Sequence, residues 1–167
     1  MKSKKQLFLE ELAFAMEQTS YQAKYYLDRE TMDLILHSDD VPIMFDDEEY
    51  DEIMAEKAQG VNVFPEWQMA EIRLFEPGRH ILIEPMPAYQ SFEIMENFVE
   101  EKVSGSLKRR LLDALQRKHP FRNFKNVIED YEDVRQLWHD YKEALLVEKA
   151  KNWLVEQGID IDKVELP

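Results

Sequence analysis

The sequence predicts an α+β fold in which a small antiparallel sheet is packed by a mainly helical C-terminal half. Short β-rich runs occur only in the first half of the chain, and helical periodicity dominates from about residue 88 onward. Strands grouped in one part of a chain and helices in another indicate α+β, not alternating βαβ units. With 167 residues, 44% of them hydrophobic, and only four Gly, the chain is expected to form a single domain over 1–167.

The first half is predicted to begin with a helix and a β-hairpin. Apolar residues recur at three- and four-residue steps over about 4–18, which predicts an amphipathic helix. Two β-rich runs follow at 21–27 and 32–38. Between them, the side chain of Asp28 is expected to open a turn by accepting backbone hydrogen bonds. These two runs therefore predict paired antiparallel strands.

The middle of the chain is strongly acidic. The stretch Asp39–Glu56 contains nine acids and no Lys or Arg, and it is predicted to form a loop leading into an acidic helix that ends at Gly60. Another helix is predicted from Pro65, a residue suited to a first helical turn, to about Phe75. The run His80–Glu84 predicts the third strand, because the prolines that follow it cannot donate hydrogen bonds to a continuing ladder.

The remainder of the chain is predicted to be helical. One helix spans about 88–103, and Ser106 is the predicted N-cap of the next. Pro120 is expected to open a short helix, and a long final helix is expected to end at Gly158. Trp138 and the other large aromatic residues of this last helix fall at core spacing. In all, six or seven helices are expected.

Positive charge is concentrated between Lys108 and Lys125. This window holds seven Lys or Arg and one acid, so it carries +6, and subtracting it from the net charge of −14 leaves −20 on the other residues. The overall charge disfavours indiscriminate attachment to nucleic acid or anionic lipid. Only a local surface formed by this window would attract acidic groups.

A helical wheel divides the window into an apolar side and a charged side. The apolar side consists of Leu107, Leu111, Leu112 and Leu115. The charged side and the start of the following helix form the predicted basic face, which consists of Arg109, Arg110, Arg117, Arg122 and Lys125. This face would suit an acidic protein partner or a phosphate, since it lies beside a helix N-terminus. Alternatively, its cations pair with acids of the chain itself, such as Asp113, Glu129 or the acidic block that starts at Asp39.

Several classes of site find no support in the sequence. The absence of Cys excludes disulfides, thiolate metal sites and Cys nucleophiles. The four His form no zinc motif, and the acidic block 39–56 lacks the order of a calcium loop, which favours a solvated segment over a metal site. We therefore predict no catalytic residue, metal or cofactor. Because no membrane span or signal peptide is recognisable, the cytoplasm is the expected location.

Three segments in the second half resemble a bacterial uncharacterised protein family (the UPF 0158 group). They are Ile83–Val99, Leu111–Lys125 and Trp138–Lys142, and the similarity runs from about Ile81 to Ile159. The element ProPheArgAsnPheLys at 120–125 corresponds to the most recognisable stretch of that family. The resemblance implies small bacterial cytoplasmic proteins and assigns no activity, substrate or cofactor to any residue.

Taken together, these features favour a non-enzymatic protein-interaction or regulatory module whose basic face binds an acidic partner. The first alternative is an enzyme or binding protein for a phosphorylated small molecule. The second is a nucleic-acid-associated protein, which the −20 remainder and the lack of a reader motif disfavour. A homodimer that pairs the acidic block with the basic face also fits the pattern. A concave cleft lined by the cations would favour a ligand, and a convex exposed surface would favour a partner.

Overall fold

A computed structural model describes residues 1–18, 23–38, 43–44, 51–52, 55–56, 58–60, 73–74, 76 and 78–167. Its contacts divide the chain into two compact units. We call them the sheet unit (Met1–Pro85 with Gly158–Pro167) and the helical unit (Met86–Gln157). The expectation of a single domain stays a prediction.

The principal elements of the described residues follow the predicted α+β order. They are α1 (Lys4–Gln18), β1 (Ala23–Asp28), β2 (Leu34–Ser38), β3 (Ile43–Met44), β4 (Arg73–Leu74), β5 (His80–Ile83), α2 (Ala88–Lys102), α3 (Gly105–Gln116), α4 (Pro120–Glu129) and α5 (Glu132–Glu156). Isolated helical residues also occur at 51–52, 55–56 and 58. The described part of the chain thus contains five long helices, and the remaining predicted helices fall wholly or partly outside it.

A three-stranded antiparallel sheet forms the centre of the sheet unit. Its strand order is β2-β1-β5, with Tyr25 opposite Leu36 on one side and opposite Ile83 on the other. Leu27 and Ile83 are fully buried, and directly opposed residues share one face of a sheet. The hairpin and the later third strand are therefore confirmed as predicted.

The hairpin turn is built around the side chain of Asp28. Its Oδ1 accepts hydrogen bonds from the backbone N–H groups of Glu30 at 2.9 Å and Thr31 at 3.3 Å, as expected from the sequence. The chain then passes through Met32, whose φ of 62° lies in the left-handed region. The Met32 side chain is only 1% exposed, so burial helps to hold this unfavourable backbone conformation.

Two local predictions are wrong. The helix expected to end near Phe75 does not include Arg73 and Leu74, because these residues form β4 and pair in parallel with β3; residues 61–72 lie outside the described residues. Ser106 is not an N-cap, since α3 begins one residue earlier, at Gly105, with Ser104 in the cap position and no side-chain cap hydrogen bond. Gly105 has a φ of 69°, and this left-handed start, which glycine tolerates, places Ser106 inside the helix.

The helical unit is organised around three aromatic side chains. Phe98 of α2, Phe124 of α4 and Trp138 of α5 meet with ring centroids 5.0 to 6.4 Å apart, mostly edge to face. Leucines and isoleucines from α2, α3 and α4 complete this buried cluster. Trp138, predicted as core from its spacing, is 7% exposed. The core thus holds α3 and α4, the two helices that contain the basic window, against α2 and α5.

Candidate functional site

The basic face lies on the solvent side of α3 and α4. All five of its residues are exposed, whereas Leu111 and Leu115 on the opposite side of α3 and Phe124 on the opposite side of α4 are buried. The helical-wheel prediction is thus correct about which residues face solvent. Because the buried sides of α3 and α4 belong to one apolar cluster, the exposed cations stand on a rigid support.

Two cations of the basic face have partners. Arg117 Nη2 lies 2.8 Å from Asp113 Oδ2, an ion pair between exposed side chains four positions apart. Such pairs contribute little to stability, because solvent screens them. Arg110 Nη1 donates a hydrogen bond to Tyr131 Oη at 2.6 Å, and its guanidinium carbon lies 5.8 Å from the centre of the Tyr131 ring. Tyr131 is uncharged, so Arg110 keeps its positive charge uncompensated there.

The other three cations have no acidic partner among the residues that the structure describes. Arg109 lies four positions before Asp113, but Asp113 pairs with Arg117. Lys125 lies four positions before Glu129, and no ion pair forms between them within 4 Å. Arg122 is likewise exposed without an ion pair. Among the described residues, pairing with acids of the chain therefore accounts for one of the five predicted cations, and most of the acidic block 39–56 lies outside those residues.

The turn between α3 and α4 is tightly constrained. Asn123 Nδ2 donates a 2.7 Å hydrogen bond to the carbonyl oxygen of Lys118, which ties the first turn of α4 back to the connecting segment. His119 occupies the N-cap position with a φ of 59°, and its side chain makes no capping hydrogen bond. Pro120 follows at the first helical turn, as predicted. The N-terminus of α4 therefore carries no side-chain cap.

Two clefts formed by the described residues belong to the sheet unit. One of about 370 Å³ and another of about 270 Å³ are both lined only by residues of the sheet unit, among them Leu7, Glu11 and Leu34. Neither includes a residue of the basic face.

The sequence did not predict a partly buried ionic cluster in the sheet unit. Arg79 binds Asp28 through two parallel hydrogen bonds of 3.0 Å, from Nε to Oδ1 and from Nη2 to Oδ2. The backbone N–H of Arg29 also donates to the carbonyl oxygen of Arg79 at 2.8 Å. Together these bonds fasten the hairpin turn to the segment that precedes β5. Only the prediction of Asp28 as a turn residue pointed toward this place, because its partner lies 51 positions away.

The protonation of this cluster follows from its contacts. Burial by itself raises the pKa of Asp28, but hydrogen bonds from Arg79 and from the amides of Glu30 and Thr31 outweigh burial and lower that pKa to about 2. His80 Nδ1 accepts a 2.7 Å hydrogen bond from the backbone N–H of Glu76, while His80 Nε2 lies 3.7 Å from Asp28 Oδ2. In the neutral ring the proton therefore sits on Nε2, toward the carboxylate. We interpret the cluster as a structural clasp, because Asp28, Arg79 and His80 bond to one another or to the backbone of the turn and of the segment before β5.

Within the described ranges, no group of three or more His, Asp or Glu is arranged to hold a metal ion. The acidic block 39–56 lies largely outside those ranges, so its interpretation as a solvated segment stays a prediction. No helix in the described part of the chain combines the length and apolar character needed to cross a bilayer.

Comparison with known proteins extends the resemblance noted in the second half. The chain is 34% identical over 84 residues to UPF0158 protein PA5073 of Pseudomonas aeruginosa, a match that covers 50% of this chain and 55% of that relative. The match thus spans about half the length of the curated relative. No solved structure matches the chain. The model of Uncharacterised protein family (UPF0158) matches residues 3–165, so the chain belongs to this family, for which no function is known.

Proposed function

We propose that this protein is a non-enzymatic interaction module whose basic face binds an acidic surface on a partner protein. The observation that carries the proposal is the exposure of Arg109, Arg122 and Lys125 without ion-pair partners in the described structure, although Asp113 and Glu129 stand one helical turn away. Exposed cations on helices that are packed against a common core can pair with carboxylates of a partner at little conformational cost.

The charge of the helical unit supports the same proposal. Its sequence contains twelve Lys or Arg and thirteen Asp or Glu, a net charge of −1, and seven of those twelve cations lie in the window Lys108–Lys125. The unit is therefore nearly neutral overall but strongly polarised along its sequence. Such polarisation orients an acidic partner during diffusional encounter, and the resulting association rate falls with salt.

Charge reversal on the basic face tests the proposal. The variant Arg109→Glu, Arg122→Glu, Lys125→Glu removes the three unpaired cations, and the matched control Lys4→Glu, Lys151→Glu, Lys163→Glu makes the same change in net charge at exposed positions elsewhere. Tagged versions of both are used to capture partners from native cells, and thermal unfolding is followed in parallel. We expect the first variant to lose its partners, the control to retain them, and both to keep the melting temperature of the native chain within a few degrees.

A single substitution that removes a negative charge near the basic face should strengthen partner binding. Asp113→Asn removes the one acid of the basic window and frees Arg117, so it should tighten binding of the captured partner and steepen its decrease with salt. Retention of partners by the charge-reversed variant would contradict the proposal. A large loss of stability with partners retained would show that the cations serve the fold instead.

A phosphorylated small molecule is the second candidate, favoured by the N-terminus of α4. This terminus has no side-chain cap and is flanked by Lys118 and Arg122, so its amides would suit a phosphate. Thermal shift with inorganic phosphate and a set of phosphorylated metabolites tests it, because a ligand at about one hundred times its dissociation constant stabilises by about 2.7 kcal/mol. A flat response across the set would exclude this candidate.

The proposal also keeps the cytoplasmic location predicted from the sequence. Fractionation of cells that express a tagged chain at its native level tests that location.

Nucleic-acid binding, the third candidate, predicts retention of a labelled duplex or single strand that weakens steeply with salt. We expect no retention at physiological ionic strength, since the residues outside the basic window carry −20.

A further inference from the structure

Helix α1 carries apolar residues on two sides. Its buried side consists of Phe8, Leu9, Leu12, Ala13 and Ala15. Leu7 and Phe14 lie on the other side, seven positions apart and therefore along one line of the helix. They are 47% and 56% exposed. Two large apolar side chains exposed along one line form a candidate binding surface where they adjoin further apolar residues.

This second side of α1 borders a groove next to the hairpin. Leu7 and Phe14 line the cleft of about 370 Å³ together with Tyr25 of β1 and Leu34 of β2. Leu36 lies directly opposite Tyr25 in the strand register, so the two side chains share one face of the sheet, and Leu36 is 53% exposed. We define the α1 groove as these five apolar residues. Four of these residues line the cleft of about 370 Å³, and Leu36 extends their apolar surface along the sheet.

Acidic residues form the rim of the α1 groove. Glu10 and Glu11 lie between Leu7 and Phe14 on the same side of the helix and also line the cleft. Glu10 accepts hydrogen bonds from Lys2 at 2.9 Å and Gln6 at 3.0 Å, which lower its pKa and keep it ionised. Glu11 is exposed and has no ion pair among the described residues.

The sheet unit is also acidic in its overall composition. Its sequence holds twenty-two Asp or Glu against nine Lys or Arg, a net charge of −13. A negative unit with an apolar groove is complementary to a segment that is both basic and apolar. An anionic lipid or fatty acid would be repelled by the same charge.

A second copy of this chain does not supply such a segment from its basic face. In the described residues, the exposed positions of α3 and α4 are polar or charged, and their large apolar side chains are buried or half-buried. The large exposed apolar residues of the helical unit, Tyr89, Leu137 and Val155, belong to α2 and α5. The basic face of a second copy would therefore bring cations but no side chain to fill the groove.

We propose that the α1 groove binds an amphipathic helix of a partner protein, with Leu- or Phe-sized side chains toward the groove and Lys or Arg beside them. Leu7 and Phe14 are separated by two helical turns, about 10.5 Å at 1.5 Å per residue. An incoming helix placed along α1 presents positions i, i+4 and i+7 over the same length. Its flanking cations then reach Glu10 and Glu11. Charged residues flank the apolar contact in the same way at the e and g positions of a coiled coil.

The full chain and two synthetic peptides test this proposal. The first peptide is a helix with Leu at i, i+4 and i+7 and Lys at the flanking positions, and the second has the same Leu pattern with Glu in place of Lys. Fluorescence anisotropy measures the affinity of each at low and physiological salt. We expect the cationic peptide to bind, the anionic peptide to bind about tenfold more weakly or not at all, and the difference to shrink as salt rises.

Substitutions in the groove locate the binding. Phe14→Ser should weaken the cationic peptide about tenfold or more, because an exposed apolar contact is lost, and Glu11→Lys should weaken it while reducing its dependence on salt. The matched controls Val155→Ser and Glu96→Lys alter an exposed apolar residue and an exposed acid of the helical unit, and they should leave the affinity unchanged.

Three results would overturn the proposal. The first is failure of the cationic peptide to bind, and the second is equal affinity for the Phe14→Ser variant. The third is a concentration-dependent dimer in sedimentation that Phe14→Ser abolishes, which would assign the groove to a second copy. The groove and the basic face lie in different units, so these results leave the proposed function of the basic face unaffected.

Discussion

The sheet unit and the helical unit of this protein use charge in opposite ways. The sheet unit carries −13, and its best-formed ionic contact is the Asp28–Arg79 pair, which is partly buried and joins the hairpin turn to the third strand. The helical unit carries −1 and keeps its apolar and aromatic side chains inside, while the cations of its basic face stand in solvent. In the described residues, an ion pair thus links two segments of the fold in the sheet unit, whereas the cations of the basic face in the helical unit are exposed to solvent.

The two units also differ in the surroundings of their residues with a left-handed backbone conformation. Met32 in the sheet unit has a φ of 62° and a buried side chain, whereas His119 in the helical unit has a φ of 59° and is exposed. Burial offsets the backbone penalty at Met32. The His119 side chain is exposed, so its replacement removes no buried contact. Glycine also adopts a positive φ without strain, so His119 should tolerate replacement by glycine better than Met32 does.

The largest effect is expected from the core of the helical unit. Phe98 is fully buried and touches Phe124, Trp138 and Tyr141, so Phe98→Ala should lower the free energy of unfolding by about 3–5 kcal/mol. Urea unfolding followed by tryptophan fluorescence measures the change. Tyr89→Ala, at a 64% exposed position of the same helix, is the control and should alter stability by about 0.5 kcal/mol or less. Equal effects of the two substitutions would mean that the aromatic cluster does not stabilise the helical unit, which would contradict the contrast between its apolar core and the ionic contact of the sheet unit.

A smaller effect is expected from the ionic clasp of the sheet unit. The pKa of Asp28 is about 2 in the folded chain against an ordinary value of 3.8, so ionised Asp28 contributes about 2 kcal/mol above pH 4. This contribution is lost as the pH falls from about 4 to about 2, through the folded pKa. The difference in unfolding free energy between the native chain and Asp28→Asn should therefore be full at neutral pH and diminish over that interval.

Hydrogen exchange of the hairpin amides between pH 7 and pH 2 provides a local measurement of the same effect. Asp33→Asn, which alters an exposed carboxylate of the same turn, serves as the control. A native-minus-Asp28→Asn difference that did not depend on pH would mean that the Asp28 charge does not stabilise the clasp.

The smallest effect is expected at the turn of the helical unit. His119→Gly should leave stability within about 0.5 kcal/mol, because glycine adopts a positive φ without strain but loses more entropy on folding. His119→Val should destabilise by about 1–2 kcal/mol, since a β-branched residue disfavours the left-handed region. Thermal unfolding of the two variants measures the difference. If valine were tolerated as well as glycine, the contrast between Met32 and His119 would lose its backbone explanation.

Periodicity and turn chemistry determined most of the architecture from the sequence. The first helix, the hairpin, the third strand and α2 lie where the sequence predicts them, because each depends on the spacing of apolar residues and on nearby Asp or Pro. The exposure of the basic face was also predictable, since the helical wheel places Leu111 and Arg109 on opposite sides of α3. In contrast, β4 ends a segment that reads as a helix, and its pairing with β3 depends on residues about 30 positions apart.

Tertiary structure alone decided which charges are paired and which apolar residues stay uncovered. In the sequence, Arg79 is a cation that follows Pro77 and Gly78, and nothing near it indicates Asp28 as a partner. Only the fold brings it to Asp28, 51 positions earlier. Likewise, Leu7 and Phe14 read as further apolar positions of an amphipathic helix, and only the placement of the hairpin turns them into one wall of a groove. A sequence pattern reports local geometry, which repeats every few residues, whereas pairing and exposure depend on where distant segments meet.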